Sequence, residues 1–90
     1  MISKLVTLST TPTKVASANN TSITDPATVL ITEASADVYV GGADVDATDG
    51  TKIVAGGYFS WQMLPGDDVY VVASAGTPTI KVLTNRGADV

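Results

Sequence analysis

The 90-residue chain contains no cysteine and no histidine, and it has one tryptophan, one phenylalanine and one glutamate. Without cysteine no disulfide can supplement the core, and without cysteine or histidine a structural zinc of the usual kind has no ligands. The same two absences remove the commonest general base and the commonest thiol nucleophile, which excludes histidine-based triads, zinc hydrolases and histidine-held metal centres. Bases are scarce as well. Five Lys and Arg stand against nine Asp and Glu, for a net charge of −4 and a pI near 4.2. Phosphate recognition needs clustered bases, so no nucleic-acid partner is expected. Nor does any apolar run approach the roughly 18 residues of a membrane span or form the apolar core of a signal peptide, so neither a membrane partner nor a secretory leader is expected.

What remains is a small chain with 44% hydrophobic residues and a mean hydropathy of +0.26, the surplus being mostly Val and Ala. A single domain of this size buries only about 60–65% of the surface of its unfolded chain and is marginal alone. With disulfide and zinc removed, association is the remaining common support, and the apolar surplus suggests subunit interfaces.

Periodicity points to an all-β fold. No segment carries a helical period with a cap, and seven or eight short alternating runs are separated by turn signals. The expected strands are Leu5 to Ser9, Thr13 to Ser17, Ala27 to Ala34, Val38 to Val40, Thr51 to Val54, Tyr58 to Leu64, Asp68 to Val72 and Thr79 to Leu83. A polar loop is expected over Ala18 to Pro26 and a frayed tail over Thr84 to Val90. The architecture is a single small β-sandwich or jelly-roll-like domain, with residues 1 to 17 as an N-terminal strand or arm and 18 to 90 as the sandwich. Its centre is expected at Lys52 to Val72, a hairpin turned by Pro65-Gly66-Asp67 and carrying the only Phe and Trp. Alternation puts Phe59, Trp61 and Met63 on the core side, with Val29, Ile31, Val38 and Val40.

Four groups of residues invite a functional reading. Asp44, Asp46 and Asp49 precede Gly50, but aligned on a calcium loop the third acid falls at position six and Ala55 takes the place of the bidentate Glu. A solvated acidic turn is the better reading, and no metal or other cofactor is expected. Glu33 and the loop aspartates lack a flanking pocket signal for paired-carboxylate catalysis, so the chain reads as non-enzymatic. Tyr39 and Tyr70 stand out of phase with their apolar neighbours and are candidates for an interface, where Tyr is enriched. Lys4 and Lys14 occupy the first 24 residues with no acid beside them. Together with Leu5 and Val6 they mark an arm or edge strand that meets a partner.

The run from Val38 to Arg86 carries, in order, VYVGG, a GTKIVAGG entry, an aromatic strand, a PGD turn, VYVV and GTPTIKVL. In this order the chain resembles small accessory virion proteins of tailed bacteriophages, most of all head decoration proteins. The resemblance covers a little over half of the chain. It implies a protein made in the host cytoplasm that binds the major capsid protein on the exterior of the assembled capsid, commonly as a homotrimer, and stabilises the shell. The alternative is a carbohydrate- or host-binding module of a phage tail or fibre. An exposed aromatic platform would favour that alternative, and a symmetric apolar interface would favour decoration.

Overall fold

The computed structural model describes residues 1–18, 27–85 and 88; most of the expected polar loop and part of the expected tail lie outside them. Eight strands follow one another: β1 Ile2–Thr7, β2 Thr13–Ser17, β3 Ala27–Thr32, β4 Val38–Gly41, β5 Thr51–Ile53, β6 Phe59–Met63, β7 Asp68–Ala73 and β8 Thr79–Thr84. They form two antiparallel four-stranded sheets, ordered β1-β8-β3-β6 (sheet A) and β2-β7-β4-β5 (sheet B). The pairs β1·β8, β2·β7, β3·β6 and β4·β5 are those of one long antiparallel ribbon, with β1 to β4 running out and β5 to β8 running back. Rolling the ribbon up adds β3·β8 and β4·β7. This is the strand order of a jelly roll, and every connection except β4 to β5 passes from one sheet to the other.

Turn chemistry sets these crossings. The expected hairpin at Pro65-Gly66-Asp67 is instead an arch: β6 pairs with β3, and β7 pairs with β2 and β4. The turn itself has the expected form. Asp67 N donates to Leu64 O at 3.0 Å, and Gly66 takes φ 92° beside a proline, as a type II turn requires. Asp67 Oδ2 also accepts the Leu64 N–H at 2.9 Å, closing the arch from the other side. A tight turn fixes only a reversal of direction. The twist and the apolar pattern decide whether the returning strand pairs with its neighbour or faces it across the core.

The first 17 residues belong to the sandwich. β1 runs in register with β8 from Ile2↔Thr84 to Thr7↔Thr79, and β2 edges sheet B through β7, with a bulge between Lys14 and Ala16. Between them Leu8 is buried, and its N–H donates to Pro78 O at 2.8 Å. Strand β3 stops at Thr32 because Glu33 adopts φ 53°, outside the extended region. The expected tail is partly structural: Thr84 pairs with Ile2 and Val29, and buried Ala88 accepts the Ser17 N–H at 3.0 Å.

The core is aliphatic. Its largest fully buried side chains are Leu8, Ile31, Met63, Ile80, Val29, Val38 and Val71, each worth roughly 1.5–3 kcal/mol in water-to-core transfer. Val40 is buried as well, and Phe59 is partly buried against the cluster. Trp61, expected in the core, is 53% exposed. Phase places it correctly on the inner face, since Met63 two residues on is buried. It lies on the edge strand of sheet A, and the edge strand of sheet B, β5, has only three residues to cover it.

Candidate interaction surfaces

The six candidate interface residues divide among three places. Leu5 points outward from sheet A and is 68% exposed. Its neighbours Lys4 and Val6 lie on the opposite side of β1, where Val6 packs against the core and Lys4 is half-buried. Lys14, Tyr39 and Tyr70 share the outer face of sheet B, as the pairs Lys14↔Tyr70, Tyr39↔Val72 and Gly41↔Tyr70 require. Lys14 Nζ stands 5.8 Å above the Tyr70 ring and 3.9 Å from Asp68 Oδ2, so its charge has partners within the domain. The basic residues therefore do not converge with the apolar ones into one docking arm.

The acidic loop over residues 42 to 50 folds back on sheet B. Val45 is buried outside the main core, packed where a Cβ on Gly41 or Gly50 would sit. Asp46 Oδ1 accepts the N–H groups of Thr48 and Asp49 at 2.9 and 2.8 Å, and Gly50 N donates to Asp46 O. This aspartate organises a turn. Gly50 is required by proximity, since a Cβ there would come within 2.6 Å of the Tyr39 Cβ. Nearby, Asp37 Oδ1 accepts the Ala55 N–H at 2.9 Å, and Lys52 Nζ lies 3.3 Å from its other oxygen. The Ala55 amide, with Lys52 second, holds the Asp37 carboxyl below its ordinary value.

Two open surfaces stand out among the described residues. On the outer face of sheet A the register aligns Ser3, Leu83, Leu30 and Ser60 in one row and Leu5, Lys81 and Thr32 in the next. All of these but Ser60 line a shallow depression of about 460 Å³, with the Lys81–Glu33 ion pair at 3.3 Å on its rim. The second surface is the edge of β6, which no strand covers among the described residues. There Trp61 stacks on Phe59 at a centroid distance of 6.2 Å, above a cleft of about 220 Å³ that reaches Val40, Thr51 and Asp68. Tyr58 and Leu64 flank it at 77% and 69% exposure. The sequence marked the first surface only through Lys4 and Leu5, and it missed the second by placing Trp61 in the core, because exposure there depends on which strand lies at the sheet edge.

No family model matches the chain, and no match was found to a curated protein or to a solved structure.

Proposed function

We propose that the chain is a non-enzymatic structural protein of a tailed-phage virion, binding the outer surface of the assembled capsid and reinforcing it. The observation that carries this reading is the apolar surface left in water by so small a domain. Leu5, Leu30 and Leu83 sit together on the flat outer face of sheet A, and Tyr58, Trp61 and Leu64 stand along its β6 edge. Patches of this kind on a soluble domain mark contacts with other macromolecules. The surface is flat and the chain carries no histidine or cysteine, which suits adhesion to a broad protein lattice better than catalysis. The order of turn and strand motifs from Val38 to Arg86 supplies the lattice: the phage head. The fold supports this only as analogy, since jelly rolls serve capsids and lectins alike.

The half-exposed Trp61 favours a second reading, a glycan- or host-binding module of a tail or fibre. Reinforcement separates the two. Capsids carrying the protein should retain their DNA to higher temperature than bare capsids, and a glycan-binding module would leave that release temperature unchanged.

A further inference from the structure

Each sheet of this sandwich has two edges, and three of the four edge strands carry devices that prevent further pairing. β1 contains Lys4; β2 contains Lys14 and a bulge; β5 is three residues long and contains Lys52. Lysines, bulges and shortness are the usual guards of open sheet edges. β6, Phe59-Ser60-Trp61-Gln62-Met63, has none of them: no charge, no proline, no bulge in its pairing with β3. It is also flanked by apolar side chains. Of the six large hydrophobic residues exposed among the described ones, Tyr58, Trp61 and Leu64 fall within these seven positions.

The seven positions are self-complementary. A two-fold axis through Trp61 sets an antiparallel copy so that Tyr58 opposes Leu64, Phe59 opposes Met63 and Ser60 opposes Gln62, with Trp61 opposite itself. Apolar residues then meet apolar ones on the inner face, and polar meet polar on the outer face, at every step from Phe59 to Met63. We propose that two copies of this chain associate edge to edge through β6, joining their A sheets into one eight-stranded sheet with the two Trp61 rings at its centre. The outward N–H and C=O groups of each edge, which no strand covers among the described residues, find partners in the other, and cross-strand aromatic contact adds to the pairing. Such a contact is isologous and closes at two chains, in place of the trimer that the phage resemblance implies. It does not depend on the virion reading and is tested on the purified chain alone.

The register supplies the test. Ser60 and Gln62 are exposed and point away from the core, so their substitution leaves the sandwich folded, as circular dichroism would verify. Ser60→Lys combined with Gln62→Lys places like charges opposite each other twice across the axis; Ser60→Lys combined with Gln62→Glu places opposite charges there twice. Light scattering on the unmodified protein at high concentration should give twice the 9.2 kDa chain mass. The emission of Trp61, the only tryptophan, should shift to the blue as the dimer forms. The lysine–glutamate variant should dimerise at least as well as the unmodified chain, and the two variants' dissociation constants should differ by about tenfold or more. A monomer at all concentrations, a mass of three chains, or two variants that dissociate alike would each overturn the proposal.

Discussion

Trp61 and Met63 stand on the same face of the same strand, and their truncations should rank in the order opposite to their size. Trp61 is 53% exposed, so about half of its surface is withdrawn from water. A tryptophan buries at most about 250 Å², which leaves roughly 120 Å² here and, at about 25 cal/mol per Å², a ceiling near 3 kcal/mol. Partial burial in the unfolded chain lowers this to about 2 kcal/mol for Trp61→Ala. Met63 is 1% exposed. Met63→Ala leaves a cavity between the sheets and belongs in the range of about 2–5 kcal/mol found for buried Met to Ala, toward its middle. Urea denaturation followed by far-ultraviolet circular dichroism, on dilute protein so that no contact between copies contributes, measures both. A larger loss for Trp61→Ala than for Met63→Ala would refute the placement of Trp61 at an under-covered edge.

Gly50→Ala should cost about 1–3 kcal/mol, because the new Cβ would lie 2.6 Å from Tyr39 Cβ and 2.9 Å from Asp46 O, and backbone must move. Gly56→Ala meets nothing within 4 Å and should cost only the strain of its φ of 77°, about 1 kcal/mol, in the same denaturation assay. Deleting residues 2 to 9 removes all of β1 and the buried Leu8, and should abolish the cooperative thermal transition instead of releasing an arm from an intact domain. Asp37 has a folded pKa depressed by Ala55 N–H and Lys52, so its contribution to stability is present above the unfolded value near 4 and is lost as pH falls through the folded one. The urea midpoint of Asp37→Asn should therefore lie below that of the unmodified chain at pH 7 and approach it at pH 3; a gap that widens on acidification would contradict this assignment.

Strand existence was legible in the sequence because each run alternates on its own, as in ATVLIT, whose Val29 and Ile31 are buried while Thr28 is exposed. The Pro65-Gly66 turn was legible for the same local reason. Partnership between strands was not, because it depends on residues far apart in the chain. DVYVV looks like the return leg of a hairpin, and nothing in it or in FSWQM states that β3 has already taken the pairing side of β6. The same non-local fact sets the exposure of Trp61: alternation gives the correct face, and the shortness of β5 on the other sheet decides how much of that face is covered. Among the candidate interface residues, Leu5 is exposed, but Lys14 lies against Asp68 and Tyr70, contacts that appear only once β2 is set beside β7. Ala88 looks like tail by composition and is buried through its bond with Ser17 N.

The proposed adhesion to a capsid lattice is tested most directly by quantitative co-sedimentation. Purified protein titrated onto assembled, DNA-filled phage heads should pellet with them to a saturating, integral number of copies per capsid subunit cluster, while sedimenting with neither soluble capsid subunits nor host polysaccharide. Protein that remains in the supernatant with heads at every concentration, yet pellets with polysaccharide, would contradict the claim.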